Sequence, residues 1–307
     1  MASPHPLSAA TMFSLKDWVA VVTGGGTGIG LMIAQTLAAN GAKVYITGRR
    51  ADVLERSARI HGTPEKLGPL GGSIVPIAMD VTSKDSIKSV VAEIGQKEQY
   101  VNLLVNNAGI YGSRPNARPE NGPEAFGEAM FAEGDSNIWQ KVFDTNCTSC
   151  YLTTAAFLPL LAKAASGPTG KVGSVIINSS VSASLRIIAN SLTIKYAQVS
   201  KAAVSHLTRQ LAYEFSHEKI SIRVNGLGLG YFPSEMTTGT SNEQNESIDL
   251  APRFAELMSG MDLQSVKRMG TPEEVATIVL TLAVNDYMWG TITIVDGGLS
   301  LRAAGDL

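Results

Sequence analysis

The sequence predicts an α/β fold in which helices cover both faces of one doubly wound, parallel sheet. Apolar runs rich in Val and Ile alternate along the chain with segments of helical periodicity. Strands joined in this way by helices require right-handed crossovers, which place the strands parallel in one sheet. The chain has 307 residues and no break in composition divides it, so we expect a single domain.

The first half of the chain supplies four predicted strands. DWVAVVTGG is an apolar run that stops at glycines, and IGLMIAQTLAANG follows it with helical spacing up to Gly41. AKVYITGRR and SIVPIAMDV are the next two strands. The helix TSKDSIKSVVAEIG then opens with Thr82 or Ser83 as its cap, and VNLLVNNAG is the fourth strand.

The second half continues the alternation with the strands KVGSVIINSS, KISIRVNGLG and GTITIVDGG. Between the last two, the order Thr271, proline, Glu273 and Glu274 predicts a helix that begins with a capping box. Two polar stretches interrupt the alternation, and we expect variable loops there, at residues 111–136 and 231–262. Residues 1–13 are predicted to be a flexible tail, and residues 14–307 to be the folded domain.

Composition and charge exclude several classes of function. The net charge of −2 provides no basic patch for nucleic acid. No apolar run reaches the roughly 18 residues of a membrane helix, and residues 1–13 lack the pattern of a secretory signal. Cys147 and Cys150 form a CxxC without a second pair. We interpret them as small residues packed on a helix, not as a redox motif or half a zinc site, which favours a cytoplasmic setting and no metal.

The segment TGGGTGIG, residues 23–30, joins the first predicted strand to the first predicted helix. In this context glycines allow a tight turn close to a pyrophosphate, which the helix N-terminus binds, so a Rossmann-type dinucleotide site is predicted. NAD-specific sites carry an acid at the end of the second strand. Here Arg49 and Arg50 occur instead, and a guanidinium binds a 2′-phosphate that a carboxylate would repel. We expect NADP(H), although two solvated arginines at a strand end are the alternative.

Four motifs together resemble the short-chain dehydrogenase/reductases, in particular fungal reductases of the ketoacyl-reductase type, over residues 15–298. TGGGTGIG resembles the family's TGxxxGxG loop, and NNAG at 106–109 has the spelling of its signature. MDV at 79–81 resembles the segment that contacts adenine, and VDGG at 295–298 resembles the final strand ending. The cofactor-binding residues implied by the resemblance and by the arginine pair are Gly24, Thr27, Gly28, Ile29, Gly30, Arg49, Arg50, Asp80, Val81, Asn107, Ala108, Gly109, Lys201, Gly230, Phe232 and Ser234.

The family's catalytic set is Asn, Ser, Tyr and Lys, in which the Tyr hydroxyl gives a proton to the substrate oxygen as NADPH delivers hydride. The resemblance places the first two at Asn146 and Ser180, with Ser182 as a less favoured substitute, and the lysine at Lys201. Tyr196 is the remaining candidate acid. A phenol with a pKa near 10 needs a nearby cation to work near neutral pH, which is the role of the lysine.

The chain departs from the family at two positions. The family spacing YxxxK would put the tyrosine at Ala197. Four helical steps bring two side chains within about 40° of the same face, whereas five put them about 140° apart. We therefore expect Tyr196 to point away from Lys201, unless a later helix start or a bulge restores the relay. In NGLGLG, residues 225–230, Leu229 stands where the family has a proline beside the nicotinamide. The sequence therefore does not fix the geometry of that loop.

Three functions remain compatible with these residues. The first is NADPH-dependent reduction of a ketone, with Tyr196 or a water held by Ser180 and Lys201 as the proton source. The second is an NADP(H)-bound enzyme that does not need the phenol and reduces an iminium or catalyses a redox-neutral isomerisation or cyclisation. The third is NADPH binding without catalysis, which retention of Asn146, Ser180 and Lys201 disfavours.

The variable loops suggest a small-molecule substrate that is bulky and apolar, of the kind made in specialised metabolism. The candidate lining residues are Phe126, Met130, Phe131, Trp139, Tyr231, Phe232, Phe254, Met258 and Met261. The resemblance also implies a homo-oligomer, with a tetramer expected, since the family pairs the helices that carry Asn146 and Lys201 across a two-fold axis. In this chain both helices are too apolar for their outer sides to face water.

Overall fold

A computed structural model of the chain contains one seven-stranded parallel sheet with helices on both faces, which confirms the predicted fold class. The structure describes residues 5–112, 118–133, 136–185, 195–248 and 266–301. The strand order is β3-β2-β1-β4-β5-β6-β7. The strands are β1 Val19–Thr23, β2 Lys43–Gly48, β3 Ser73–Ala78, β4 Leu103–Asn106, β5 Ser174–Asn178, β6 Arg223–Leu229 and β7 Ile292–Val295.

The order reverses between β1 and β4, so the carboxyl ends of these two strands border a crevice in which ligands bind in open α/β sheets. The helices are α1 Ala9–Met12, α2 Gly28–Ala39, α3 Ala51–His61, α4 Pro64–Leu67, α5 Lys84–Lys97, α6 Pro123–Glu133, α7 Ser136–Phe143, α8 Ser149–Ala162, α9 Lys195–Phe215, α10 Glu235–Thr238 and α11 Pro272–Val284. A π-helical turn, Asp144–Thr148, joins α7 to α8.

Alternate residues of each strand contribute to separate cores on the two faces of the sheet. On β1, Ala20 and Val22 belong to the core under α2 and α11, whereas Val19 and Val21 belong to the core under α5, α8 and α9. Side chains in a strand point alternately to opposite faces, and a parallel strand covered on both faces is therefore apolar throughout. This explains why the strands occur in the sequence as continuous Val/Ile runs.

Two helix starts follow from their caps. The Ser83 hydroxyl accepts a hydrogen bond from the Ser86 backbone N–H and caps α5, so Ser83 rather than Thr82 is the cap. At α11 the Thr271 hydroxyl accepts from the Glu274 backbone N–H, and the Glu274 carboxylate accepts from the Thr271 backbone N–H. Both ends of this capping box satisfy N–H groups that the helix leaves unpaired.

The segments outside the regular alternation contain more helix than the sequence suggests. The tail includes the four-residue helix α1, which has no buried residue. Residues 111–136 include α6, an 11-residue helix. Its Ala, Glu and Met residues are good helix formers, and Pro123 at the first position is preorganised for a helix, so local preference overrides the loop-like Pro and Gly content. Part of each variable segment, 113–117, 134–135 and 249–262, lies outside the described residues.

The two cysteines pack where the sequence places them, on the π-helical turn and at the start of α8. Cys150 is buried in the core on the α8 face, and its thiol donates to the Asn146 carbonyl at 3.4 Å. Burial raises the pKa of both thiols, that of Cys150 to about 11, so the thiolate forms are disfavoured. Among the described residues no helix has both the length and the apolar character needed to cross a membrane.

Candidate active site

One cavity of about 820 Å³ lies at the carboxyl ends of the strands, at the crevice between β1 and β4. Of the predicted catalytic and cofactor-binding residues, every one except Tyr196 lines it. The cavity brings together residues from the glycine loop, the end of β2, the end of β3, the NNAG turn, the π-helical turn, α9 and the segment after β6. Residues far apart in sequence therefore share a single site.

The glycine loop has the backbone conformations that require glycine. Gly24 has φ +64° and Gly28 has φ +52°, both in the left-handed region that other residues avoid. At Gly30 an added Cβ would lie 2.0 Å from the Gly24 carbonyl oxygen, so a side chain there cannot be accommodated. The Asn107 amide fixes this turn by donating to the carbonyls of Thr23, at 2.9 Å, and Gly24, at 3.2 Å.

The site fits a polar dinucleotide. The loop presents backbone at the N-terminus of α2, where partial positive charge favours a phosphate. Thr47 and Asn178 both line the cavity, and each has a buried side-chain oxygen without a hydrogen-bond partner among the described residues. Buried polar atoms normally have partners, so these two indicate a polar ligand. We infer the class of ligand from this combination of backbone cradle and unpaired oxygens.

The end of β2 carries the two arginines in different environments. Arg50 forms a two-hydrogen-bond ion pair with Glu235, the first residue of α10. Arg49 lines the cavity near Asp80. The pKa of Asp80 is lowered, first by the hydrogen bond from the Thr82 backbone N–H, then by the Thr82 hydroxyl and by the charge of Arg49. Asp80 is therefore an ionised acceptor at neutral pH.

Glu235 is a cavity residue that the sequence analysis missed. It lines the cavity and binds Arg50 across 185 positions of sequence. Burial would raise its pKa, but hydrogen bonds from Arg50 and Ser241 outweigh burial, and the pKa is lowered. No local pattern connects the end of β2 to the segment after β6, so only their positions in the sheet reveal the pair.

The segment after β6 lies directly against the glycine loop. A Cβ added to Gly28 would lie 3.0 Å from the Ser234 Cβ, and Ser234 also lines the cavity, as predicted for a cofactor contact. The Thr237 hydroxyl accepts from the Ser234 backbone N–H at 2.9 Å and donates to the Phe232 carbonyl at 2.7 Å, which fixes the turn into α10. Leu229, in place of the family proline, is the last residue of β6 and is in register with Val295.

Asn146 is buried in the π-helical turn with its amide fully used. Its Oδ1 accepts from the Ile110 backbone N–H at 2.8 Å, and its Nδ2 donates to the Ile110 carbonyl at 2.8 Å and to the Ser200 hydroxyl at 3.0 Å. A π-helical turn adds one residue to the helix, a feature that often marks functional sites. Asn146 thereby connects the chain after the NNAG turn to α9.

Lys201 and Ser180 line the same part of the cavity from α9 and from the end of β5. The Lys201 ammonium donates to the Asn178 carbonyl at 2.6 Å. Burial lowers the pKa of this lysine, and the neighbouring thiols of Cys150 and Cys147 oppose that effect only in part. The Ser180 hydroxyl accepts hydrogen bonds from the backbone N–H and the hydroxyl of Ser182, at 3.1 and 2.9 Å. Both serines line the cavity.

Tyr196 and Ala197 face different surroundings at the start of α9. Ala197 lines the cavity together with Lys201, one turn later. Tyr196 is 6% exposed and packs in an apolar cluster with Val142 and Trp139, whose ring centroid is 5.6 Å from its own in an edge-on arrangement. Gly112 lies directly against the Tyr196 ring, since a Cβ added at Gly112 would lie 2.5 Å from a ring carbon.

The predicted apolar lining is only partly correct. Tyr231 and Phe232 line the cavity. Phe126, Met130 and Phe131 do not, because they lie on α6, where Phe131 is 91% exposed. Trp139 also does not, because it packs on Tyr196 and Phe143. Phe254, Met258 and Met261 lie outside the described residues. Apolar cavity residues that the prediction omitted include Ile110, Tyr111, Val181, Leu185, Met236 and Leu299.

Comparison with known proteins identifies the family and gives the same fold. The family model described as short chain dehydrogenase matches residues 18–245. The short-chain dehydrogenase/reductase PhomF of Diaporthe leptostromiformis is 38% identical over 95% of this chain and 94% of its own length. VdtF of Byssochlamys spectabilis, another short-chain dehydrogenase/reductase, is 34% identical over 95% of each chain. The structure of the Pseudomonas aeruginosa RhlG/NADP active-site complex matches with a TM-score of 0.74 and 28% identity, over 96% of this chain and 99% of that one.

Proposed function

The chain belongs to the short-chain dehydrogenase/reductase family, and we propose that it is an NADPH-dependent reductase of a ketone on a bulky, apolar, specialised-metabolite substrate. One observation carries the proposal: a single cavity joins the glycine loop and Arg49 to Ser180, Lys201 and the π-helical turn of Asn146. The family supports an oxidoreductase. The similar structure of the RhlG/NADP complex supports the choice of cofactor.

Each part of the site has a role in this proposal. The glycine loop and the N-terminus of α2 would hold the pyrophosphate, and the pair Arg49 and Arg50 the 2′-phosphate. NADPH, when bound, supplies the hydride. Ser180 would orient the substrate carbonyl by donating its hydroxyl hydrogen, and Asn146 keeps the π-helical turn in place beside α9. The apolar side chains of Leu185, Met236 and Leu299 would exclude water from the reacting groups.

The direct test is consumption of NADPH by the purified chain in the presence of a panel of aryl and alicyclic ketones, followed by absorbance. We expect turnover with bulky apolar ketones and a loss of about 10²-fold or more in Ser180→Ala. A Ser166→Ala variant, on the turn after α8, is the matched control. Binding of NADPH without turnover of any ketone would contradict the proposal and leave only the functions that do not reduce a ketone.

A second candidate is favoured by the surroundings of Ala197 and Tyr196. With alanine in the cavity and the phenol packed against Trp139, the site resembles one that does not use a phenolic acid. Hydride addition to an iminium gives a neutral amine and needs no proton donor, and a redox-neutral isomerisation or cyclisation needs no net hydride transfer. Both reactions are compatible with the same cofactor cavity.

Two variants separate the candidates. If Tyr196→Phe retains most of the ketone reductase activity, the phenol is not the acid. If Ala197→Tyr creates or raises activity on simple ketones, the cavity accepts a phenol at that position. Turnover of cyclic iminium salts but not of ketones by the unmodified chain would favour the second candidate. Loss of ketone turnover in Tyr196→Phe, with NADPH binding unchanged, would instead assign the acid to Tyr196.

A further inference from the structure

A second tyrosine lines the cavity from which Tyr196 is turned away. Tyr111 follows the NNAG turn by two residues and lines the cavity together with Ala197 and Lys201. Four residues before Lys201, where α9 shares a face with it, the helix presents only the methyl group of Ala197. The space that a phenol on α9 would occupy is therefore open to a phenol from another segment.

The segment that carries Tyr111 runs beside the start of α9. A Cβ added at Gly109 would lie 3.8 Å from the Lys201 Nζ, and a Cβ added at Gly112 would lie 3.2 Å from the Tyr196 hydroxyl oxygen. Five helical residues separate Tyr196 from Lys201, which is about 7.5 Å along the axis, and three residues of chain can cover that span. Tyr111 therefore lies between these two contacts, next to the first turns of α9.

The backbone is fixed on both sides of Tyr111. Before it, the Ile110 N–H donates to the Asn146 Oδ1 and the Ile110 carbonyl accepts from the Asn146 Nδ2, both at 2.8 Å. The same amide donates to the Ser200 hydroxyl on α9 at 3.0 Å. After it, Gly112 has a φ of +83°, a conformation that favours glycine, and turns the chain. The phenol is thus attached to a segment that is already positioned against α9, as a catalytic group requires.

Tyr231 is the other phenol in the cavity, and its surroundings are those of a packing residue. It packs against Val181, Leu185 and Leu299 in an apolar cluster. Burial raises the pKa of Tyr231, which makes it a weaker acid. Tyr111 is 36% exposed, so a phenolate formed there can regain a proton from water. Of the two, Tyr111 is the better placed to lose and recover a proton in each turnover.

We propose that Tyr111 is the general acid of this enzyme and gives its proton to the oxygen of the substrate carbonyl. The inference rests on the proposed ketone reduction. The carbonyl carbon gains the hydride that NADPH supplies, and the π-electron pair of the C=O bond moves to oxygen. The O–H bond of Tyr111 breaks, the proton passes to that oxygen, and the phenolate regains a proton from solvent. The products are an alcohol and NADP⁺.

The proposal leaves Lys201 in the cofactor site and takes no hydrogen-bond donor from it. Its ammonium lies beside the turn that leads to Tyr111, and a positive charge nearby stabilises a phenolate. Tyr196 supports the same segment through the contact of its ring with Gly112. Both residues then act on proton transfer through Tyr111, and the phenol that touches the substrate comes from the NNAG side of the cavity.

Tyr111→Phe removes the hydroxyl and keeps the ring. We expect it to bind NADPH within about twofold of the unmodified chain, by fluorescence titration, and to lose about 10²-fold or more in kcat with α-tetralone. Tyr287→Phe, at a 98% exposed site after α11, is the matched control and should keep both properties. Full turnover in Tyr111→Phe would overturn the proposal. A loss of turnover in Tyr196→Phe or Tyr231→Phe that exceeds the loss in Tyr111→Phe would also overturn it.

A graded change in acidity separates proton donation from a hydrogen bond that only orients the substrate. Amber suppression places 3-fluorotyrosine or 3,5-difluorotyrosine at position 111, and each fluorine makes the phenol more acidic. A general acid works in its protonated form, so kcat falls as the pH rises through its pKa. We expect this alkaline limb of the kcat profile to move to lower pH with each fluorine at Tyr111 and to stay unchanged with fluorine at Tyr287. An alkaline limb that does not move with fluorine at Tyr111 would refute the acid role.

A measurement without turnover tests the contact with the substrate. The ¹⁹F resonance of 3-fluorotyrosine in place of Tyr111 is recorded with NADP⁺ and α-tetralone, which are both oxidised and cannot react with each other. We expect the ketone to shift this resonance and to leave that of 3-fluorotyrosine in place of Tyr287 unchanged. An unchanged resonance at Tyr111, with calorimetry showing bound ketone, would overturn the proposal. Absence of ketone turnover in the unmodified chain would refute the proposed function itself, whereas full turnover in Tyr111→Phe refutes only the role of Tyr111.

Discussion

Arg50 and Glu235 form an ion pair that joins the N-terminus of α3 to the first residue of α10. The Arg50 Nη2 is 2.9 Å from the Glu235 Oε2, and the Nη1 is 3.3 Å from the Oε1. Two parallel hydrogen bonds of this kind are the strong, directional form of an arginine–carboxylate contact. Arg50 is one of the two arginines at the predicted NADPH-specificity position, so the Glu235 carboxylate competes with a 2′-phosphate for its guanidinium.

Glu235→Gln should raise the affinity for NADPH. The change removes a negative charge that repels the 2′-phosphate and frees Arg50 to bind it, but it keeps the size of the side chain. Because the pair is partly exposed, with side-chain exposures of 56% and 34%, the gain should be about two- to fivefold. Calorimetric titration measures it, with Glu243→Gln, an exposed acid in the same segment, as the control. Weaker NADPH binding in Glu235→Gln would contradict this competition, because it would mean that the ion pair supports NADPH binding.

Arg49→Ala should discriminate between the two nicotinamide cofactors. We expect the unmodified chain to bind NADPH about tenfold or more tightly than NADH, since loss of one charge-assisted contact costs about 1.5–3 kcal/mol. The variant should lose that amount with NADPH and little with NADH. Arg56→Ala, an exposed arginine on α3, is the matched control. Equal affinity of the unmodified chain for both cofactors would contradict the assignment of NADP(H).

The sequence predicted those parts of the fold and of the site that depend on local geometry. Gly24 and Gly28 are glycines because their backbones have positive φ, and Thr271 with Glu274 forms its capping box from contacts within one turn. Contacts between distant segments left no such pattern, and the Arg50–Glu235 pair is the main example. Trp139 was predicted in the substrate lining because it is a large apolar side chain. The fold instead places it against Tyr196. Hydrophobicity alone does not state which apolar surface a residue covers.

The hydrogen-bonded chain Asn245–Ser57–Gly26 should couple the segment after β6 to the glycine loop. The Asn245 amide donates to the Ser57 hydroxyl at 2.8 Å and to the Val53 carbonyl at 3.0 Å, and that hydroxyl donates to the Gly26 carbonyl at 2.7 Å. Asn245 and Ser57 are buried, so Ser57→Ala leaves two groups unpaired and should cost about 1–3 kcal/mol of unfolding free energy.

Asn245 also has a φ of +60°, which gives a second comparison at the same chain of hydrogen bonds. Asn245→Gly removes the amide but tolerates this conformation, whereas Asn245→Ala adds backbone strain. We expect both to lower the thermal midpoint, Asn245→Ala more, and both to raise the Kd for NADPH. An unchanged Kd in all three variants would show that the chain of hydrogen bonds serves the fold alone.

The ion pair at the start of α11 should make stability depend on pH. Hydrogen bonds from Arg268 and the Thr271 backbone N–H lower the pKa of Glu274 to about 2, from a usual value of 4.5. A carboxyl group whose pKa is lower in the folded than in the unfolded state stabilises the fold at pH values above its unfolded pKa. This stabilisation is lost as the pH falls toward its folded pKa. Glu274→Gln should therefore destabilise by about 1 kcal/mol at neutral pH, and the difference should shrink only below about pH 4.5. Denaturant unfolding at a series of pH values measures it, and a constant difference would contradict this origin.

The outer faces of α8 and α9 should pair with those of a second copy of the chain. They expose Tyr151 at 50%, Val199 at 48% and Tyr213 at 82%, which is apolar surface that water disfavours. At a two-fold axis each residue occurs twice, so one substitution places two changes in the same interface. We expect light scattering to give four times the chain mass of 32.4 kDa, and Tyr151→Glu to give a smaller species because it brings two buried carboxylates together.

Leu70→Glu, a comparably exposed site next to the edge strand β3, should leave the mass unchanged. A monomer mass for the unmodified chain at micromolar concentration would refute this pairing, and a full-size Tyr151→Glu assembly would place the interface elsewhere.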